Sequence, residues 1–377
     1  MPLPDPAPSH SVTTTGMIVE QPLGKSLCLE CGFVQRNRFP FLGLGQYYQD
    51  DYASYYERPG TEPFHRKRYQ SLLEWMSGYL GESFMFSRVL DVGCGQGWMM
   101  EAISERYPGV HVAGIEPNGH NASIARAKGY SVAETKLESA SRDQRFDLVY
   151  SNNVLQHVND AARFLADMRS CLDDHGVMIV TCPDGSRPSI DLIWTDHNYS
   201  FLPQNLVALG KELGFATVRV DSSADNPSLP PALLLLLTDN PAYREAEAPG
   251  YRPLSEEDVR GAHRDKSDYL SRFAELNEFL AQQISDASHV YNFGASYWTS
   301  VLAAYCPDYW EKVEACVIDK SDDVKQFMNR PIMELSEIGG VDGPVLVLGT
   351  APLGHEQLEA RLQPYARVVG WNSYFPH

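Results

Sequence analysis

The sequence predicts an α/β protein with a doubly wound, mostly parallel sheet, an N-terminal extension and a second, smaller α/β domain at its C-terminal end. Three observations predict it. Short apolar runs at 89–92, 111–115, 146–150 and 176–181 each end in a glycine, an acid or a polar turn, as buried parallel strands do. Amphipathic helical stretches lie between them, at 121–128 and 160–172, which is the βαβ alternation of a parallel sheet. The strand–turn–helix pattern then returns after residue 288.

The chain has 377 residues, enough for two or three domains. With 43% hydrophobic and 21% charged residues it is an ordinary globular chain and not a disordered one. A formal net charge of −18 argues against nucleic-acid partners, whose phosphates require Lys and Arg, and against anionic membrane surfaces. The seven cysteines are scattered, giving no disulfide framework, and the polar Pro-rich start does not read as a signal peptide. The strongest apolar run, 232–237, falls far short of the ~20 residues that span a bilayer. A reduced, cytoplasmic enzyme is the expectation.

Residues 1–15 are Pro-rich and expected to be extended or mobile. Cys28 and Cys31 have the spacing of half a zinc knuckle. A structural zinc needs four ligands, and no second close pair exists. Two ordinary buried cysteines without metal are therefore expected. Tyr47, Tyr48, Tyr52, Tyr55 and Tyr56 follow, interleaved with acids. Such a run is either a packing surface or a lid whose phenols reach over a substrate. A helix over 63–80 leads into the next strand.

The chain is organised around Arg88-Val-Leu-Asp91-Val-Gly93-Cys-Gly95-Gln-Gly97-Trp98. Glycine is required where backbone turns sharply or lies against a ligand. Asp91 sits at the carboxyl end of the strand, where open α/β sheets bind ligands. A dinucleotide fingerprint is G-x-G-x-x-G; G-x-G-x-G preceded by an acid suits a cationic, phosphate-free cofactor better. Glu116, at the end of the second strand, has the position of an acid that accepts both hydroxyls of a ribose. Residues 146–158 supply a third strand, an exit loop with Asn152 and Asn153, and His157. Residues 176–184 supply a fourth.

These four motifs, in this order, resemble the class I S-adenosylmethionine-dependent methyltransferases. The resemblance implies their Rossmann-like doubly wound sheet, S-adenosylmethionine as cofactor and S-adenosylhomocysteine as product. It assigns Asp91, Gly93, Gly95 and Gly97 to the amino-acid and ribose portion, Glu116 to the ribose hydroxyls and Glu138 to the adenine. Asn152 and Asn153 fall near the transferable methyl, with His157 capping or packing beside the cofactor. A helix over 206–213, a strand over 217–220 and a last, antiparallel strand over 233–237 close the domain, placed at 71–239 after an N-terminal segment of 1–70.

Residues 240–255 read as a linker, and 256–377 as the C-terminal helix and small α/β domain. Ser255 with Asp258 forms a capping box. The turn after 289–293 carries one glycine, Gly294, so this domain is expected to close over the substrate, position it or oligomerise instead of binding the cofactor. The whole order is similar to the nucleotide-sugar C-methyltransferases. Two departures stand out. Those enzymes carry four cysteines where this chain has one pair, and a Tyr-x-Glu-His stretch where this chain has Trp194-Thr195-Asp196-His197.

The resemblance makes His197 the general base, with Asp196 holding its tautomer. A tyrosine, Tyr199 or Tyr56 of the lid, would stabilise an oxyanion. The expected reaction is C-methylation of a keto-deoxysugar nucleotide, a small-molecule acceptor. The alternatives are O- or N-methylation of a natural-product or sugar intermediate, and a non-catalytic cofactor-binding scaffold.

Overall fold

A computed structural model describes residues 1–37, 47–48, 62–80, 86–223, 229–243, 254–320 and 325–375. Two compact units emerge. The first comprises residues 26–192 and 197–263 with Met1, and the second residues 2–25, 193–196 and 264–377. The N-terminal residues, expected as one segment through 70, are shared between the two.

The first unit is built on a seven-stranded sheet. Its order in space is Thr217–Ser222, Ala232–Thr238, Leu172–Pro183, Phe146–Asn152, Arg88–Val92, His111–Ile115 and Ser131–Ala133. The strands from Leu172–Pro183 to Ser131–Ala133 pair in parallel. Ala232–Thr238 comes last in the chain but sits inside the sheet, antiparallel to both neighbours. The doubly wound sheet is thus observed, and its most apolar strand is covered on both edges.

Side-chain alternation explains why these runs are apolar throughout. Successive residues of a strand point to opposite faces. Leu90, Val149, Met178, Val180, Leu233, Leu235 and Leu237 enter one core. Val89, Leu148, Val177, Ile179, Leu234 and Leu236 enter the other. Helices Gly119–Ala127 and Ala161–Arg169 start on side-chain caps, from Asn118 and Asp160, so each helix leaves its strand through a short, fixed turn.

The second unit holds a six-stranded sheet ordered Gln326–Phe327, Arg330–Glu334, Val313–Ile318, Val290–Phe293, Val345–Leu348 and Arg367–Val369. All pairs are parallel except the outermost hairpin of Gln326–Phe327 with Arg330–Glu334. The Pro-rich start, expected as extended or mobile, belongs to this unit as folded chain. Leu3, Ala7 and Val12 are buried. Ser11–Val12 pairs with Ile18–Val19, and the Val12 carbonyl accepts from Thr195 N at 2.9 Å. Proline removes a donor but not the apolar surface that can be buried, so an irregular, Pro-rich segment still anchors through Leu3 and Ala7.

Candidate functional site

The site begins at the glycine turn. Gly93, Gly95 and Gly97 all have left-handed backbone, with φ of 78°, 52° and 79°, a region that a Cβ disfavours. Their surroundings differ. A Cβ on Gly93 would meet Val154 Cγ2 at 2.4 Å, and one on Gly97 would meet Ala125 Cβ at 3.2 Å. A Cβ on Gly95 would meet nothing within 4 Å. Packing therefore demands the outer two glycines, while the middle one keeps an open face of backbone.

Two buried carboxylates flank this turn. Glu116 spends Oε2 on the Gly95 N–H and Oε1 on the Asn118 N–H, both at 2.8 Å. Burial raises its pKa against these two bonds. Asp91 accepts a short hydrogen bond from the Tyr150 hydroxyl. Its pKa is pushed up to about 8 by burial, with the Glu116 charge adding to the rise and the Tyr150 bond opposing it. A cation bound beside two such acids would stabilise their ionised forms, whereas an anion would oppose that ionisation further. Two carboxyls at the turn suit a ligand bearing an ammonium or sulfonium better than a pyrophosphate. Beyond Glu116, a cavity of about 820 Å³ is lined by Asn118, Glu134, Lys136 and Glu138 among others. It opens off the exits of His111–Ile115 and Ser131–Ala133. Glu138 lies on its exposed rim, in the turn Leu137–Ser139.

A second cluster lies after Phe146–Asn152. Asn152 Oδ1 accepts from Thr181 Oγ1 at 2.6 Å, which fixes the strand's exit. Asn153 has φ of +54°, a conformation that asparagine tolerates better than most residues and that concentrates at functional turns. The turn brings Val154 onto Gly93 and carries His157. His157 and His197 meet edge to face, with ring centroids 4.7 Å apart. The Tyr48 hydroxyl is 2.8 Å from His157 Nδ1. The Tyr48 carbonyl accepts from Asn118 Nδ2 at 3.4 Å, so one tyrosine reaches both His157 and the loop after Glu116.

The carboxylate that faces His197 Nδ1 is Asp191, at 3.6 Å. Asp196, expected in that place, instead takes the Thr14 N–H at 2.9 Å and the Thr14 hydroxyl at 2.5 Å. Asp196 lies in the turn that precedes His197, and there its carboxylate is taken up by Thr14. Tyr199 gives its hydroxyl to the Asn159 carbonyl at 2.5 Å and stacks on Phe33 at 5.6 Å, so it braces the turn that holds His157. Asn198, fully buried, does the same through the His157 carbonyl at 2.9 Å. Tyr56 lies outside the described residues, as do Tyr52 and Tyr55.

Sequence reasoning did not single out Asp191 or Asn198. Nothing local marks Asp191, because its role depends on a return of the chain after residue 192. Among the described residues no group of three or more His, Cys, Asp or Glu is placed to hold a metal. Of the two cysteines expected to be buried, Cys28 is exposed and Cys31 half-buried, because both sit on a surface turn.

A family profile described as "Methyltransferase domain" matches residues 64–220. The chain is similar to the ubiquinone biosynthesis O-methyltransferase of Bradyrhizobium sp. (strain ORS 278), with 32% identity over 100 residues, 25% of this chain and 39% of that protein. It is also similar to the protein of the same name from Chelativorans sp. (strain BNC1), with 28% identity over 133 residues, 33% of this chain and 52% of that protein. The chain thus spans about two fifths to a half of the length of these curated relatives. Among solved structures, one of a SAM-dependent methyltransferase from Archaeoglobus fulgidus is 19% identical with a TM-score of 0.38, covering 46% of this chain and 94% of that one. Another, an S-adenosylmethionine-dependent methyltransferase from Mesorhizobium loti, is 20% identical with a TM-score of 0.37, covering 44% of this chain and 96% of that one.

Proposed function

We propose that this chain, whose residues 64–220 match a methyltransferase-domain profile, uses S-adenosylmethionine to transfer a methyl group to a small-molecule acceptor whose proton is removed at the His157–His197 pair. The observation that carries the reading is the open Gly95 backbone between two buried acids. It suits a cationic amino-acid cofactor better than a phosphate. Asp91 and the glycine turn would hold the cofactor's amino-acid end, Glu116 its ribose, and the cavity with Glu138 its adenine. Bound there, S-adenosylmethionine supplies an electrophilic methyl on a sulfonium.

The protein's own task is then to orient the acceptor, exclude water and move one proton. His197, backed by Asp191, is the base. Asp191 beside Nδ1 favours the tautomer protonated on Nδ1, which makes Nε2 the nitrogen that accepts a proton. His157 sits between this base and the Tyr48 phenol. A base and a phenol in one cluster suit removal of a proton from the carbon beside a ketone, because the enolate oxygen needs a donor as the carbon loses its proton. C-methylation of a keto-deoxysugar nucleotide is therefore the leading substrate reading. The O-methyltransferase names of the relatives favour a second reading, in which the same base deprotonates a hydroxyl and the phenol only positions it.

The two readings separate in D₂O. With a 4-keto-deoxysugar nucleotide and S-adenosylhomocysteine present, C-methylation predicts exchange of the α-proton for deuterium without turnover. His197→Asn is expected to lower that exchange by ~10²-fold or more while leaving S-adenosylmethionine affinity within a few-fold. Turnover on a phenol or hydroxyl acceptor with no α-exchange on any ketone would move the assignment to O-methylation. Absence of S-adenosylmethionine binding would overturn both.

A further inference from the structure

Cys28 and Cys31 are used by none of the chemistry above, yet their turn is firmly built. Cys28 N–H donates to the Phe33 carbonyl at 2.8 Å, and Gly32 N–H donates to the Cys28 carbonyl at 3.0 Å. Gly32 has φ of +70°, and a Cβ there would lie 2.8 Å from Leu254 Cδ1 and 2.9 Å from Leu202 Cδ1. The turn's backbone is thus packed closely against those two leucines. The i to i+4 bond from Gly32 N–H to the Cys28 carbonyl places Cys28 and Cys31 in one turn of backbone.

They are chemically unequal. The Cys28 sulfur is exposed and receives the backbone N–H groups of Glu30 and Cys31, which lower its pKa. Burial pushes the Cys31 thiol up. An exposed thiol with a lowered pKa beside a less accessible one is the arrangement of an attacking and a resolving cysteine. A metal site is poorly served, since two thiolates are half of a tetrahedral set and no third ligand joins them among the described residues.

The turn is also tied to the segment that follows His197. Strand Val34–Arg36 pairs antiparallel with Tyr199–Ser200, and Arg36 N donates to the Asn198 carbonyl at 2.9 Å. Phe33 packs on Tyr199 and Phe201. Asn205 Nδ2 donates to the Cys31 carbonyl at 3.4 Å while its Oδ1 caps Leu202 N.

We propose that Cys28 and Cys31 are a redox-active dithiol, oxidised to an intramolecular disulfide by a low-molecular-weight disulfide, and that its closure alters the strand and turn over residues 198–205 beside His197. The Cys28 thiolate attacks one sulfur of the external disulfide and expels one thiolate. Cys31 then loses its proton to solvent and attacks the Cys28 sulfur, expelling the second thiolate. Two protein thiols are oxidised, one external disulfide is reduced to two thiols, and the solvent proton is returned to a leaving thiolate.

The test uses the full chain equilibrated with glutathione and glutathione disulfide over a range of ratios, quenched by alkylation and read by peptide mass spectrometry. The expected result is loss of both alkylation sites from the 28–31 peptide together, while the five buried cysteines are unchanged. Cys31→Ser is expected to trap glutathione on Cys28, and Cys28→Ser to trap none on Cys31. Both thiols remaining alkylatable at every ratio, or stoichiometric zinc shielding them in the reduced protein, overturns the proposal. Hydrogen exchange of the oxidised and reduced wild-type chain tests the coupling. A change of several-fold in protection over 198–205 is expected, and identical rates there overturn that half. None of these readouts requires methyl transfer.

Discussion

A single buried carboxyl sets a measurable property of the first unit. Asp91 titrates near 8 in the folded protein against 3.8 for an exposed aspartate. The unfolded chain releases this proton near pH 4, whereas the folded chain holds it until about pH 8. Between those values the unfolded state binds fewer protons, so stability falls as pH rises, by up to about 1.4 kcal/mol per pH unit, and levels off above pH 8. Asp91→Asn keeps an acceptor for the Tyr150 hydroxyl and removes the charge. Its melting temperature is expected to exceed that of the parent at pH 8 and to match it at pH 4, while calorimetric affinity for S-adenosylmethionine drops. A variant that melts in parallel with the parent across this range would refute the assignment. The glycines offer a second contrast. Gly93→Ala meets Val154 and is expected to cost roughly 2–4 kcal/mol, from overpacking plus left-handed strain. Gly95→Ala carries only the strain, about 1 kcal/mol, yet is expected to lose more cofactor affinity than stability. Denaturant titration paired with binding isotherms separates the two.

At the level of elements, the chain returns after residue 192 to brace the turn that holds His157. Tyr199 contributes a hydrogen bond to the Asn159 carbonyl and a ring on Phe33. Tyr199→Phe is therefore expected to cost about 1 kcal/mol of stability and to change turnover by less than threefold. A loss of 10²-fold with unchanged folding would return its phenol to the chemistry. This element also marks how far the sequence could be read. Strands 89–92, 146–150 and 176–181 and their glycine or asparagine exits were legible because periodicity, turn chemistry and burial all coincide within a dozen residues. The two cores follow from the same alternation. Asp191 was not legible, since its approach to His197 depends on the turn at 193–196 and no local pattern encodes a distance across a turn. The burial of Val12 was missed for a related reason: its partners, Trp194 and the helix Tyr297–Tyr305, lie far along the chain.

For the whole molecule, the two sheets share a strand–turn–helix logic but differ at their turns. The first has three left-handed glycines and two buried acids; the second has Gly294, whose Cβ would lie 3.0 Å from the Gly349 carbonyl oxygen, and Ser296 as the helix cap. The cofactor is therefore expected to act on the first unit alone. At a hundredfold excess over Kd it should add about 2.7 kcal/mol to the stability of that unit. Hydrogen-exchange protection should rise over 88–118 and 146–157 and stay unchanged over 290–350. Protection gained in the second region would reveal a further cofactor site.

The open face at Gly95 has a consequence for how this chain can drift. At Gly93 and Gly97 selection for folding alone retains glycine, so a library screened only for soluble expression would find little variation there. At Gly95 the same screen would admit alanine or serine, and only a screen for activity would remove them. The difference between two such surveys at this one position would record what the ligand requires, separated from what the fold requires.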